Sequence, residues 1–176
     1  EYDNWGMNVN MHKTEYPRIG KEQEDPDLQL RHLKRCEEYK YLGSIISNIG
    51  TSENDTKQIV QQGRKCIRIL NSLLWSNQIT IATKSTIYRA IVKPILTYES
   101  ECWQMSVKRR VDAVEMDFLR RSCRVSKIER IPNEVIRRRT KRTDTTTERI
   151  ETRQLIWYGH VRKMENDRWP KTVINY

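Results

Sequence analysis

Two runs of cations hold the chemistry written most plainly in this chain. Arg64, Lys65 and Arg68 form the first; Arg109, Arg110, Arg120, Arg121 and Arg124 form the second. Guanidinium forks and ammonium groups bind phosphate oxygens, so cations repeated along helices suit a polyanion. The charge distribution agrees. Residues 1–56 carry 7 Lys/Arg against 11 Asp/Glu, a net of −4, whereas residues 57–176 carry 26 against 12, a net of +14. Such asymmetry points to nucleic acid first and an acidic membrane surface second. No apolar run in the sequence approaches the roughly 18–20 residues that span a bilayer, so no membrane partner is expected.

Other chemistries have thinner support. Cys36, Cys66, Cys102 and Cys123 form no CxxC pair, which argues against zinc, and reduced thiols on helix faces are expected. His12, His32 and His160 have no partner at ligand spacing, and His160 reads as a helix residue beside Trp157. Asp25 and Asp27 flank Pro26 in a charged loop and read as solvated. Neither a nucleophile elbow nor a phosphate loop is present. Trp157, Tyr158 and Trp169 lie among Arg153, Arg162, Lys163 and Arg168. They fit stacking of single-stranded bases and fit a core stripe with one exposed aromatic equally well.

The elements that must position these groups are mostly helical. Residues 1–20 read as loop with a short extended piece around Met7–Asn10, and a strand is expected across Leu28–Leu33. Residues 38–47 alternate as one strand, with Tyr39, Tyr41, Gly43 and Ile45 on one face and Leu42 and Ile46 on the other. Asn48-Ile49-Gly50 closes it. A helix capped by Ser52 or Asn54 follows, with Ile59, Gly63, Cys66/Ile67, Leu70 and Leu73/Leu74 as its apolar stripe. The next, from Thr83, buries Ile87, Ala90/Ile91, Ile95 and Tyr98, and kinks or breaks at Pro94. A third spans 107–124 on Val111, Val114 and Phe118, and Asn133–Arg139 forms a short one. Residues 137–147 lack periodicity and read as a mobile basic and Thr-rich linker. A last helix covers about Thr147–Met164, with Ile150, Gln154, Trp157, Val161 and Met164 in register, before an irregular tail.

Four segments in order, GMNVNMHKTEY (6–16), EYKYLGSIIS (38–47), TKSTIYRAIVKPILTYESECW (83–103) and RQLIWYGHVRKMENDRWP (153–170), resemble the C-terminal part of the reverse transcriptase of non-LTR (LINE-type) retrotransposons. The resemblance covers nearly the whole chain. It implies a mainly α fold: a helical thumb-like bundle preceded by a small β hairpin at the C-terminal edge of the palm. The implied division is a palm edge at 1–50, a bundle at 51–136, the linker at 137–147 and a C-terminal helix and tail at 148–176.

The first segment resembles the end of the palm, carrying Gly6, Asn10, Lys13 and Thr14. Lys13 would stand near the incoming nucleotide, in reach of the departing pyrophosphate. The second resembles the primer grip, with Lys40, Tyr41, Leu42 and Gly43 at the primer end. A glycine within a strand marks close approach of another backbone, and here that backbone would be the sugar-phosphate chain. The third resembles the thumb, which follows duplex shape through phosphates. One departure stands out: the family usually has glycine after the tyrosine, and here Glu99 follows Tyr98. The implied partners are an RNA–DNA or DNA duplex, template RNA and a polymerase domain upstream, inside the cell, in the nucleus or a cytoplasmic ribonucleoprotein. The family's metal-binding aspartates lie upstream of residue 1, so this chain is expected to hold no cofactor and to be inactive alone, whereas the parent enzyme would use Mg. The start at Glu1 in mid-pattern suggests a fragment. A stand-alone basic nucleic-acid-binding module and a decayed, non-functional product are the alternatives.

Overall fold

A computed structural model describes Gly6 and residues 8–19, 33–103 and 108–174. The chain is mainly helical with two small sheets, and it divides into two compact units, Glu1–Asp55 and Thr56–Tyr176.

In the first unit, β1 (Glu15–Pro17) and β2 (Lys34–Cys36) pair in parallel. Glu15 lies opposite Lys34, and their side chains form an ion pair at 3.3 Å. Neither three-residue strand was anticipated, because neither is long enough to show an apolar period. The extended piece expected around Met7–Asn10 is not a strand at residues 8–10, and Met7 lies outside the described residues, as do residues 28–32 of the strand expected at Leu28–Leu33.

Residues 38–47 are not one strand. They fold into a hairpin of β3 (Glu38–Tyr41) and β4 (Ser44–Ser47) around a Leu42-Gly43 turn. Both turn residues have positive φ, +48° and +102°, the handedness that matches the twist of two-residue hairpin loops. Gly43 is there because the turn needs that backbone conformation. The faces change accordingly. Tyr39 pairs with Ile46, Lys40 with Ile45 and Tyr41 with Ser44, so Ile45 shares a face with Lys40 and not with the tyrosines. The Ile45 N–H donates to Asp55 Oδ1 at 3.0 Å, and the Asn54 amide donates to Glu38, tying the hairpin to the first turn of the helix that follows.

That helix, α1 (Glu53–Ile69), carries the chain into the second unit and buries the expected stripe: Ile59, Gly63 and Ile67, continuing to Leu74 in α2 (Asn71–Trp75). Gly63 permits a close approach. A Cβ there would stand 2.6 Å from Leu96 Cδ2 and 3.2 Å from Val114 Cγ1.

The following segment departs from expectation. It runs as α3 (Ile81–Ile87), one wide π turn over Tyr88–Val92, and α4 (Lys93–Leu96). The Lys93 N–H reaches back five residues to the Tyr88 carbonyl, so the irregularity expected at Pro94 takes the form of a widened turn that joins α3 to α4 just before the proline. The buried residues are Lys84, Tyr88, Val92 and Leu96, while Ala90, Ile91 and Tyr98 are exposed. Hydropathy favours the isoleucine face. The neighbouring face wins because Lys84 and Tyr88 find internal polar partners, and a buried polar group is tolerated when it is satisfied.

α5 (Lys108–Ser122) presents Val111, Val114 and Phe118 inward as expected, with Leu119 and the carboxylate Glu115 also fully buried. α6 (Asn133–Arg139), α7 (Thr146–Arg162) and the short α8 (Trp169–Ile174) complete the unit. The loose linker expected at 137–147 is instead built into the bundle. Arg137 belongs to α6, Thr140 and Thr146 are buried, and Thr145 opens α7 with a capping box shared with Glu148. The segment lacks an apolar period because its contacts are polar. The C-terminal helix is likewise not a separate piece: Arg153 Nη1 donates to the Thr97 carbonyl at 2.8 Å, and Gln154 Nε2 to the carbonyls of Ser100 (3.0 Å) and Trp103 (2.8 Å).

Candidate nucleic-acid interface

The hairpin places its four candidate residues at an exposed tip. Lys40, exposed, precedes Tyr41 (56% exposed), the last residue of β3, and Leu42 (72% exposed) and Gly43 form the turn. Lys13 is exposed in a turn closed by its own N–H on the Asn10 carbonyl at 3.0 Å. Thr14 Oγ1 donates to the same carbonyl at 2.8 Å.

The two cation runs have different fates. Arg64, Lys65 and Arg68 stand exposed on α1 and meet no carboxylate within ion-pair reach among the described residues. Arg109 and Arg110 are exposed at the start of α5, and Arg124 is exposed just past its end, with φ +57°. Arg120 and Arg121 are half-buried and committed inside the fold. Arg120 Nη2 donates to the Ile131 carbonyl at 2.7 Å and to Asn133 Oδ1 at 2.8 Å. Arg121 donates to Asp117 at 3.1 Å and to Asn71. Both hold α5 to its neighbours and have little left for a phosphate.

Two buried polar groups, neither visible as such in the sequence, organise the rest. Lys84 donates to the carbonyls of Leu74 (2.6 Å), Ser76 (2.7 Å) and Ser122 (3.4 Å), which lie at the C-terminal ends of α2 and α5. A cation suits that place, where unpaired carbonyls gather at the negative end of each helix. Desolvation, then the Arg124 charge, pull the Lys84 pKa below the usual lysine value. Glu115 accepts from Arg137 at 3.0 Å, Tyr88 Oη at 3.2 Å and the Thr146 N–H at 3.2 Å, and lies 3.4 Å from Arg142. Arg142 also stacks over the Tyr88 ring, 4.4 Å from its centroid. Burial, with the Glu115 charge next, raises the Tyr88 pKa, so the phenol keeps its proton.

This network fixes Arg142 in one wall of an open cleft of about 880 Å³ between α3/α4 and the α6–α7 connection. Arg89, Lys93, Arg139, Lys141, Arg142 and Arg149 line it, facing the single carboxylate of Asp144. Desolvation lowers the Lys93 pKa, and the Arg149 charge adds to the effect. Burial alone would raise Asp144, but a backbone hydrogen bond and the charges of Arg142, Arg149 and Lys93 hold it below the usual carboxylate value. None of these six cations was singled out from sequence. The signal that could have found them is RRRTKR at 137–142, which read as linker.

On α7, Trp157 is 41% and Tyr158 50% exposed, and Trp169 on α8 is 81% exposed, so these aromatics are not a core stripe. The His160 ring packs 5.8 Å from Trp157. None of the four cysteines is joined in a disulfide. Among the described residues no three His, Cys, Asp or Glu side chains cluster as a metal site would require. No helix described is long and apolar enough to cross a membrane. No family model, no curated protein and no solved structure matches the chain.

Proposed function

We propose that this chain grips a nucleic-acid duplex through its phosphates, as the palm edge and thumb of a LINE-type reverse transcriptase. The observation that carries the reading is the row of Arg64, Lys65 and Arg68 on α1, exposed and without a carboxylate in reach among the described residues. Such a row neutralises phosphates without reading bases, which is what following a duplex of any sequence demands. The hairpin tip supports it, since Lys40 and Tyr41 are exposed at the end of β3, next to a turn whose backbone needs Gly43. So does Glu99. Its φ is +48°, a left-handed conformation natural to the glycine that the resemblance leads one to expect there. The segments at 83–103 and 153–170, both of which carry the resemblance, also meet through the Arg153 and Gln154 hydrogen bonds.

The test is titration of the purified chain with an RNA–DNA hybrid duplex of arbitrary sequence at rising salt. Binding should be sequence-independent and should weaken steeply. On B-DNA the log–log slope is about −0.9 per phosphate neutralised. A chain that ignores both duplexes at low ionic strength, or binds with no salt dependence, sinks the reading.

A further inference from the structure

The cleft between α3/α4 and the α6–α7 connection gathers a second set of cations, apart from the α1 row and independent of the duplex reading. Lys93, Arg139 and Lys141 meet no carboxylate within ion-pair reach among the described residues, although all three line it. Arg149 is held by Asp144 at 3.3 Å, and Arg89 donates to Thr86 Oγ1 at 3.2 Å. Arg142 is anchored from behind by Glu115 and the Tyr88 ring, and its buried Nε finds no acceptor among the described residues. A single carboxylate among six cations leaves the cleft strongly positive, with at least one cation rigidly placed. Like charges brought together in a partly desolvated pocket call for a multivalent anion. Its volume, about 880 Å³, lies within the range of sites that take a nucleotide-sized ligand. Besides Ile81 and Ala82, the residues lining it are the six cations, Asp144 and the hydroxyl-bearing Thr83, Ser85, Thr86 and Thr140, so phosphate oxygens would meet both charge and hydroxyl donors.

We propose that this cleft binds a run of linked phosphates, either a free polyphosphate or the phosphates of a nucleic-acid strand. Lys93, Arg139 and Lys141, left without an ion pair among the described residues, would hold it, and Arg142 and Arg149 would add to the positive field from the walls.

The probe is sodium tripolyphosphate, titrated calorimetrically into the full chain at low salt. The variant Arg139→Ser/Lys141→Ser changes two exposed side chains and should keep the wild-type melting curve. It should bind tripolyphosphate at least tenfold more weakly, while Arg64→Ala/Lys65→Ala/Arg68→Ala binds it as the wild type does. Lys93→Met, from inside the cleft, should reproduce the loss. No binding by the wild type overturns the proposal, and so does equal weakening in the cleft and α1 variants, which would mean diffuse charge only. Competition with a 5′-phosphorylated single-stranded dodecamer and its unphosphorylated twin then identifies the source. Displacement by both assigns the cleft to backbone phosphates, by the first alone to a strand end, and by neither to free polyphosphate. Duplex binding that survives in the cleft variants, with tripolyphosphate binding absent throughout, sinks the cleft and spares the duplex reading. The reverse pattern sinks the duplex reading alone.

Discussion

α1 and the C-terminal half of α5 carry cations at similar spacing, and the fold uses them in opposite ways. On α1, Arg64, Lys65 and Arg68 face solvent with no acid in reach among the described residues. On α5, Arg120 and Arg121 are absorbed by the Ile131 carbonyl, Asn133, Asp117 and Asn71. The difference lies in what packs alongside. α5 packs against α2 and α6, where Asn71, the Ile131 carbonyl and Asn133 offer the guanidiniums charge-assisted hydrogen bonds. A cation is available to an outside phosphate only where the fold offers it nothing better.

The largest effect should come from removing the acceptor that sequesters most charge. Glu115 is fully buried and pairs with Arg137 and Arg142. Glu115→Ala leaves both guanidiniums without their carboxylate and should cost about 3–5 kcal/mol, the usual penalty for breaking a buried pair from one side. Urea denaturation measures it. Glu115→Gln keeps an acceptor for Tyr88 and Thr146 and should cost less. A loss under about 1 kcal/mol in Glu115→Ala would mean that the network contributes little, well below the cost expected of an uncompensated buried charge.

Next in size is Arg120→Ala. Two hydrogen bonds from a charged donor vanish, so stability should fall by about 1.5–3 kcal/mol. Hybrid-duplex affinity, measured where the variant is fully folded, should stay near wild type. Weakened binding with unchanged stability would erase the contrast between the two helices.

Arg64→Ala/Lys65→Ala/Arg68→Ala is the converse. Exposed helix cations contribute little to stability, so the melt should move by less than about 0.5 kcal/mol. The salt slope of duplex binding should flatten by about 0.9 for each phosphate that the variant no longer neutralises. An unchanged slope would show that the α1 row does not touch the duplex, whatever its exposure.

The same contrast explains what was legible in the sequence. The stripe of Ile59, Ile67, Val111, Val114 and Phe118 was readable because each residue is apolar and its period is that of a helix. Lys84, Tyr88 and Glu115 were not, because their burial depends on partners 8 to 58 residues away: Ser76 and Ser122 for Lys84, Thr146 for Tyr88, and Arg137 for Glu115. Residues 137–147 looked like linker for the same reason. Their order comes from Glu115, Thr146 and the capping box at Thr145, and none of these leaves a hydrophobic period. The hairpin was half legible. Its β character showed, but its turn rests on positive φ at Leu42 as well as Gly43, and leucine seldom signals that conformation. Of the candidate interface, the exposure of the α1 row was legible from its distance from an apolar stripe. The cations of the cleft were not singled out because three of them come from a segment with no stripe to compare against.

A modest gain in stability sharpens the comparison at a third place. Arg153, like Arg120, is drawn to a backbone carbonyl. It holds the Thr97 carbonyl at 2.8 Å and lies 3.7 Å from Glu101, across the turn in which Glu99 takes φ +48°. An L side chain in that conformation costs roughly 1–2 kcal/mol, which glycine avoids, while glycine also widens the unfolded ensemble. Glu99→Gly should therefore stabilise the chain by a net of about 0.5–1 kcal/mol, read as a higher melting temperature. Arg153 keeps its acceptor in that variant, so Arg153→Ala should cost as much in the Glu99→Gly background as alone. If Glu99→Gly instead destabilises, the Glu99 side chain makes a contribution larger than its backbone strain. The turn would then be held by that residue's chemistry, and the left-handed conformation would be a consequence of the fold at this position and no pointer to a missing glycine.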